Sequence, residues 1–299
     1  MIEERYGFNT RTRKTWLSDQ AKSIVLMAVL GSALLAVLFF MVQQTAQTWW
    51  LWVWLVFTGF QLLMTVLYPT LIAPLFNKFT PIEDPALVTG IERLAEGEGL
   101  GIRGIFQMDA SRRSRHTNAY FSGLGKTKRI VLFDSLIASH DREEILAVLA
   151  HEIGHFKKNH IRKQITILSA VSLGLFYLAS LLLGWEALYQ AFGFSVMPAY
   201  VGLFLLGILW EPIGFFLGPL GMAISRKFER EADDYGVRVI GSADALIRAL
   251  KNMAKDNLSN LYPHPLYVTL HYSHPPLLER VMSLMNHDKN RSEPPLIEA

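Results

Sequence analysis

Residues 151–155 read His-Glu-Ile-Gly-His, a spacing of residue types that can carry out metal-assisted hydrolysis. Positions i and i+4 share one face of an α-helix, so His151 and His155 can present two imidazoles to one zinc ion. Glu152 lies beside them, where its carboxylate can take a proton from a water whose pKa zinc has lowered. Such a short motif also arises by chance, and two solvated histidines on a helix face are the alternative.

A catalytic zinc site needs a third protein ligand, and this chain has no cysteine to provide it. Residues 225–236 carry several carboxylates, and among them Glu229 and Asp233 stand four positions apart. On one helix face, Glu229 can reach the metal while Asp233 accepts a hydrogen bond from a ligand histidine. Glu231 competes with Glu229 for the ligand role on chemistry alone, and a solvated acidic face is the alternative for the whole segment.

The sequence around the histidines predicts the helix that must carry them. Asp141 suits the N-cap of a helix that begins at Arg142, and Glu143 and Glu144 favour its first turn. The apolar residues that follow supply a face for packing. Gly154 lowers helix stability relative to alanine, yet a glycine there permits the close approach of a neighbouring backbone.

A small mixed region precedes this helix. An amphipathic pattern predicts a helix over residues 84–100, and glycines end it. Short apolar runs then predict three strands, and glycines between the last two runs predict a hairpin turn at residues 123–126. The strands are predicted at residues 105–108, 119–122 and 129–133.

The composition is that of a membrane protein. Hydrophobic residues make up 51% of the 299 positions, charged residues make up 18%, and the mean hydropathy is +0.24. Four stretches are long and apolar enough to span a bilayer, which makes the lipid bilayer a predicted partner. They are residues 24–42, 50–73, 165–183 and 200–224.

The basic residues predict the orientation of these spans. Lys and Arg number 5 in residues 1–23, 14 in residues 74–164 and 10 in residues 225–299, and the short loops 43–49 and 184–199 contain none. By the positive-inside rule, both termini and the catalytic region face the cytoplasm, in a bacterial inner membrane or the endoplasmic reticulum. The net charge of +3 is too small to indicate nucleic-acid binding.

The predicted fold is a mainly α, multi-pass membrane protein with four transmembrane helices and a cytoplasmic zincin-like catalytic region that contains a small β-sheet. Four parts follow along the chain: a leader and first transmembrane hairpin, a catalytic region with the HEIGH helix, a second hairpin, and a C-terminal catalytic region that ends in a disordered tail from Asn286. Their bounds are residues 1–76, 77–164, 165–224 and 225–299.

Six segments, in order along the chain, carry a family resemblance: IEERYGFN at 2–9, KTWLSDQ at 14–20, TNAYFSGLGKTKRIVLFDSLI at 117–137, HEIGH at 151–155, SRKFEREAD at 225–233 and HPPLLER at 274–280. Together they resemble the CAAX prenyl protease type 1 family of integral-membrane zinc metalloproteases and, more distantly, the HtpX-like bacterial membrane proteases. These segments are spread over nearly the whole chain, from residue 2 to residue 280, and are far more specific than HEIGH alone.

The resemblance implies a role for each residue of the candidate site. Zinc is expected to be bound by His151, His155 and Glu229, which selects Glu229 over Glu231. Glu152 is expected to be the general base. Asp233 is expected to support a ligand histidine.

The resemblance also implies how a substrate is held. The NAYF segment is similar to an edge strand that lines the substrate cleft, so Asn118, Ala119 and Tyr120 are expected to bind an extended peptide through the backbone. The HPPLLER segment is expected to place His274 and Arg280 near the scissile carbonyl, where they can stabilise an oxyanion.

The implied function is a zinc-dependent endopeptidase that uses zinc-activated water on CAAX-type, prenylated C-terminal peptides or on membrane-associated proteins. The IEERYGFN segment stands at residue 2, and family members have about three spans before it, so the N-terminal membrane portion is expected to be missing. An HtpX-like quality-control protease and a catalytically impaired scaffold are the alternatives. His160 and His264 match no motif and are expected to be surface or loop residues.

Overall fold

The computed structural model describes residues 2–45, 47–122 and 129–292. Most of these residues are helical. The helices are α1 (Ile2–Arg5), α2 (Arg13–Gln44), α3 (Trp49–Leu67), α4 (Ala73–Phe76), α5 (Pro85–Gly97), α6 (Asp134–Ser139), α7 (Arg142–Lys157), α8 (His160–Leu183), α9 (Glu186–Ala191), α10 (Ala199–Ile240), α11 (Asp244–Asp256), α12 (Pro265–His271) and α13 (Leu277–Ser292). A π-helical turn, Tyr68–Ile72, joins α3 to α4, and a 3-10 turn, Ala110–Arg112, follows the second strand.

Four strands form one sheet in the order β1-β2-β4-β3, where β1 is Phe79–Pro81, β2 is Gly104–Met108, β3 is Ala119–Ser122 and β4 is Arg129–Phe133. The central pair, β2 and β4, is parallel, and the two outer pairs are antiparallel. Strand β3 lies at one edge, and among the residues that the structure describes its outer side has no partner strand. The hairpin turn predicted at residues 123–126 lies outside the described residues.

Four helices are long and apolar enough to cross a membrane, and each contains one of the predicted spans. They are Arg13–Gln44, Trp49–Phe76, His160–Leu183 and Ala199–Ile240. The predicted fold class is therefore confirmed: over its described residues the protein is mainly helical, with four candidate membrane helices and a small sheet.

The described chain folds into two compact units. The first comprises the described residues of Met1–Thr12, Pro69–His160 and Gly218–Ala299, and the second comprises those of Arg13–Tyr68 and Ile161–Leu217. This partition follows compactness and leaves the four-part division of the sequence a prediction.

Within the second unit, α3 and α8 are joined by polar and aromatic contacts. The indole nitrogen of Trp54 donates to the carbonyl of Ser169 at 2.8 Å, and the hydroxyl of Thr58 lies 3.1 Å from that of Ser169. The rings of Trp50 and Tyr177 pack edge to face at 5.1 Å between centroids. These contacts fix two of the candidate membrane helices against each other.

Within the first unit, the sheet packs on α5 and α7. Leu87 and Ile91 of α5, Ile130 and Leu132 of β4 and Leu149 of α7 are buried together, as the amphipathic pattern of α5 predicts. This apolar cluster holds α7 rigidly, and rigid support is what a metal-binding helix requires.

The predicted N-terminus of α7 is also present. The side chain of Asp141 accepts from the backbone N–H of Glu144 at 2.8 Å, and the Glu144 carboxylate accepts from the Asp141 N–H at 3.2 Å, which completes a capping box.

The C-terminal end of the protein chain differs from its prediction. Helix α13 continues to Ser292, so residues 286–292 are helical where disorder was predicted, and residues 293–299 lie outside the described part of the chain.

Candidate metal-dependent active site

Two glycines let helix α7 lie directly against α10 within the first unit. A Cβ atom at Gly154 would lie 2.9 Å from the Cα and the carbonyl oxygen of Ala232. A Cβ at Gly236 would lie 3.0 Å from the backbone nitrogen of His151. The distance at Gly154 is shorter than real Cβ contacts, and the distance at Gly236 is tighter than most of them, so a larger residue at either position would push the two helices apart. The close approach predicted for Gly154 is confirmed, and it brings the HEIGH motif next to the acidic segment of α10.

This helix contact brings His151, His155 and Glu229 together. The Nε2 atoms of the two histidines are 3.2 Å apart, and Glu229 lies 3.4 Å from Nε2 of His151 through Oε2 and 3.3 Å from Nε2 of His155 through Oε1. Zinc bonds of about 2.0–2.1 Å in tetrahedral geometry separate two ligand atoms by about 3.3–3.4 Å. The two imidazole nitrogens and the carboxylate oxygens of Glu229 therefore lie close enough together, and have the chemistry, to hold a zinc ion.

A buried carboxylate oxygen of Glu229 lacks a well-formed hydrogen bond at this centre, within the described part of the chain. Oε2 of Glu229 is buried and lacks a hydrogen-bond partner of good geometry among the described residues, although Nδ1 of His274 lies 2.9 Å away. Buried polar atoms normally have partners, and a cation at the centre of the three side chains would supply one. The residues present thus fit a metal ion.

Behind His151 stands a buried pair of opposite charges. Nδ1 of His151 lies 2.8 Å from Oδ1 of Asp233, and Arg280 donates to the two oxygens of Asp233 at 2.8 and 2.6 Å. Burial alone would lower the pKa of His151, but contact with Asp233 and Glu229 outweighs it and raises that pKa to about 9. Burial would likewise lower the pKa of Arg280, but Asp233 raises it, so the guanidinium stays charged.

Glu152 borders a cavity of about 560 Å³ that also reaches His151 and Glu229. Desolvation raises the pKa of Glu152 above its usual value, although the neighbouring His151 and His155 oppose the rise. A carboxylate with a raised pKa beside a metal centre is suited to taking up a proton from water and passing it on.

His274 and Arg280 of the HPPLLER segment both line the cavity but differ in their surroundings. His274 has an exposed side chain, and its Nδ1 faces Glu229. Arg280 is nearly buried, and its guanidinium is occupied by Asp233, with Glu229 3.9 Å away. His274 is thus open to a ligand, whereas Arg280 is mainly in contact with Asp233. Their roles in oxyanion stabilisation stay predictions.

The predicted substrate-binding residues lie at the free edge of the sheet. Ala119 and Tyr120 belong to β3, and the preceding Asn118 lines the cavity. The backbone N–H of Phe133 donates to the carbonyl of Asn118. In the antiparallel register, Asn118, Tyr120 and Ser122 therefore direct their backbone groups toward β4. Ala119 and Phe121 consequently direct their backbone groups outward, and the side chain of Asn118 accepts from the Ala119 N–H at 2.8 Å.

Two residues of the site were missed or misjudged from sequence. His160 was expected at the surface but is only 1% exposed. Glu231 was expected to be either a metal ligand or part of a solvated acidic face, and its Oε2 instead contacts Nε2 of His160. Asn159 has a positive φ of 56°, and this left-handed residue turns the chain between α7 and α8. Asparagine tolerates that conformation, so Asn159 was the available signal for a turn that folds His160 back.

His264, by contrast, is exposed and caps α12, as expected of a loop residue.

Two protein-family models and several known proteins match this chain. The model of peptidase family M48 matches residues 81–288, and a model described as CAAX prenyl protease N-terminal, five membrane helices, matches residues 1–78. A CAAX prenyl protease 1 homolog of Arabidopsis thaliana is 37% identical over 97% of this chain and 68% of its own length. The CAAX prenyl protease 1 of Saccharomyces cerevisiae is 38% identical over 95% of this chain and 66% of its own length.

A solved structure matches the chain as well. The crystal structure of S. mikatae Ste24p superposes with a TM-score of 0.89 at 36% identity and covers 95% of this chain and 69% of that protein. The chain therefore spans about two thirds of the length of these proteins.

One expectation is corrected by the match to the N-terminal model. The N-terminal membrane region was expected to be missing because the IEERYGFN segment was taken as its downstream border. The model of that region instead matches residues 1–78, which include this segment and the candidate spans Arg13–Gln44 and Trp49–Phe76. The N-terminal membrane region is thus present over these residues.

Proposed function

This chain belongs to the CAAX prenyl protease 1 family of M48 peptidases, and from that premise we propose that it is a membrane zinc endopeptidase acting on prenylated, CAAX-type C-terminal peptides. The observation that carries the proposal is the convergence of His151, His155 and Glu229 at distances of 3.2–3.4 Å. Nitrogen and carboxylate donors in this number are typical of catalytic zinc sites, which keep a further position open.

In this proposal the residues of the site divide the work of hydrolysis. Bound by the two histidines and Glu229, a zinc ion would act as a Lewis acid and lower the pKa of a water molecule. Glu152 accepts the proton of the attacking water and returns it to the leaving amine, which its position at the cavity and its raised pKa support. His274, exposed beside Glu229, stabilises the oxyanion.

Asp233 and Arg280 act through the ligands. Asp233 holds the ring of His151 at Nδ1, which would leave Nε2 for a zinc ion, and Arg280 holds Asp233 with two hydrogen bonds. The arrangement keeps a carboxylate charged in a buried place, which requires the nearby guanidinium.

An extended peptide would bind by adding a strand to the free edge of β3. The outward backbone groups of Ala119 and Phe121 supply the hydrogen bonds, and the side chain of Asn118 gives up its bond to the Ala119 N–H. This position places the peptide along the cavity that contains Glu152, because Asn118 and Glu152 line the same cavity.

The active site is proposed to face the cytoplasm, together with both termini. The distribution of Lys and Arg supports this topology, since the segments 74–164 and 225–299 that build the site hold 14 and 10 of the 29 basic residues.

Replacing the general base tests the chemistry. The Glu152→Gln protein should retain zinc at one ion per chain and lose peptide cleavage by at least about a hundredfold, the lower range for acid–base catalysis. Glu143→Gln, at an exposed carboxylate in the first turn of the same helix, is the matched control and should cleave normally. Equal cleavage by the two variants would contradict the assigned role.

Paired peptides test the substrate class. The purified protein should cleave a farnesylated CAAX peptide much faster than its unmodified twin. Equal rates would favour a broader quality-control protease over a CAAX protease. Zinc-loaded protein that cleaves neither peptide would favour a scaffold.

A further inference from the structure

The second metal-ligand histidine has a support of a different kind from the first. Nδ1 of His155 lies 2.9 Å from Nδ1 of His160, and Nε2 of His160 lies 3.1 Å from Oε2 of Glu231. His151 is held directly by a carboxylate, Asp233, whereas His155 is held by an imidazole that a carboxylate holds in turn.

His160 is placed firmly for this contact. It is among the most buried polar side chains of the protein, and its ring stacks on Phe228 at 4.2 Å between centroids with an interplanar angle of 8°. His155, His160, Phe228 and Glu231 all belong to the first unit. Burial at this depth is costly for a polar ring unless its nitrogen atoms have partners, and here both nitrogen atoms have one.

The distances determine where the hydrogens must lie when His155 binds a metal. If Nε2 of His155 offers its lone pair to the ion, the neutral ring carries its hydrogen on Nδ1. Only one hydrogen fits between two nitrogen atoms 2.9 Å apart, so Nδ1 of His160 must be the acceptor. His160 then carries its own hydrogen on Nε2, which donates to Glu231. Each hydrogen in this series of hydrogen bonds, from His155 through His160 to Glu231, therefore has one consistent position.

We propose that His160, oriented by Glu231, is a positioning residue that holds His155 in its metal-binding tautomer and ring orientation. The proposal rests on the proposed zinc site. It assigns His160 no contact with substrate, because its ring is buried behind His155.

Two substitutions separate this role from simple packing. His160→Phe keeps the aromatic stack on Phe228 but removes the acceptor for His155. His160→Asn loses the stack but places an amide oxygen where Nδ1 stood, so an acceptor is retained. His140→Phe is the matched control, since His140 is also a buried histidine of the first unit and contacts Ser139 outside the site.

Zinc affinity of the purified 299-residue protein, measured by competition with a chelator, is the main readout. His160→Phe should weaken zinc binding about 10- to 100-fold, as the loss of such supporting contacts does in other metal sites. His160→Asn should recover most of that loss, and His140→Phe should bind as wild type does. Cobalt(II)-loaded His160→Phe should also show an altered visible absorption spectrum, which reports ligand geometry independently of activity.

Glu231 is tested beside its neighbour on α10. Glu231→Ala should weaken zinc binding several-fold, whereas Asp234→Ala should leave it unchanged. Equal affinities for these two variants would remove Glu231 from the proposal.

The outcomes distinguish this inference from the zinc site on which it rests. If wild-type protein binds no zinc, the proposed function fails. If wild type binds zinc and His160→Phe binds it equally well, with the same cobalt spectrum, the positioning role alone is overturned. It is also overturned if His160→Phe and His160→Asn lose affinity equally and in step with their thermal stability, because packing then explains both.

Discussion

Replacing Gly154 by alanine should separate the two halves of the metal site. Alanine favours a helix by about 1 kcal/mol over glycine, which alone would stabilise α7. The added Cβ, however, would lie 2.9 Å from the Cα and carbonyl oxygen of Ala232, where contacts of about 3.5–4.0 Å are normal. Backbone atoms cannot swing aside, so α7 and α10 must move apart by roughly 0.6–1 Å.

This displacement exceeds what a metal site tolerates. Metal–ligand distances hold within about 0.2 Å, and His151 and His155 lie on one of these helices while Glu229 lies on the other. We therefore expect zinc affinity to fall at least about tenfold. Overpacking costs about 1–3 kcal/mol, so the gain in helix propensity is cancelled or exceeded and stability falls by about 0–2 kcal/mol.

Chelator competition and thermal unfolding measure the two effects. Gly97→Ala is the matched control, because Gly97 ends α5 and a Cβ there meets no other atom within 4 Å. Gly154→Ala protein that binds zinc as tightly as the Gly97→Ala protein would refute the reasoning that this glycine sets the spacing of the ligands.

Three further predictions follow from the same contacts. Glu229→Ala should abolish tight zinc binding in a chelator titration, and wild-type affinity in this variant would identify another third ligand. Asp233→Ala leaves Arg280 buried without its main partner, so the free energy of unfolding in denaturant should fall by about 3–5 kcal/mol, and an unchanged value would contradict the buried pair. N-methylation of successive amides of a substrate peptide should lower kcat/KM about fivefold at alternate positions, the value of one hydrogen bond of about 1 kcal/mol. A uniform effect along the peptide would exclude strand addition at β3.

Much of the fold and of the chemistry could be predicted from the sequence because local patterns determine them. Apolar length predicted the four spans, and Asp141 and Glu144 predicted the start of α7. The family resemblance is confirmed by the matches to peptidase family M48 and to CAAX prenyl protease 1 relatives, as is the enzyme class, a membrane metallopeptidase. The segment HEIGH predicted two histidines on one helix face, and the structure places His151 and His155 together on α7, while their role as metal ligands stays a prediction.

The contacts that depend on the packing of distant segments could not be predicted from local patterns alone. Nothing local distinguishes Glu229 from Glu231, since the choice depends on how α10 faces α7 across the two glycines. Burial of His160 depends on the left-handed turn at Asn159, which folds the start of α8 over His155. The oxyanion role of Arg280 stays a prediction, and only the fold shows that its guanidinium donates two hydrogen bonds to Asp233.

The most direct test of the proposed site is a zinc titration of chelator-stripped protein followed by peptide cleavage. Cleavage should be absent without zinc, rise in proportion to added zinc and level off at one ion per chain, and the Glu229→Ala protein should not follow this curve. Cleavage that persists after complete removal of zinc would contradict a metal centre built by His151, His155 and Glu229.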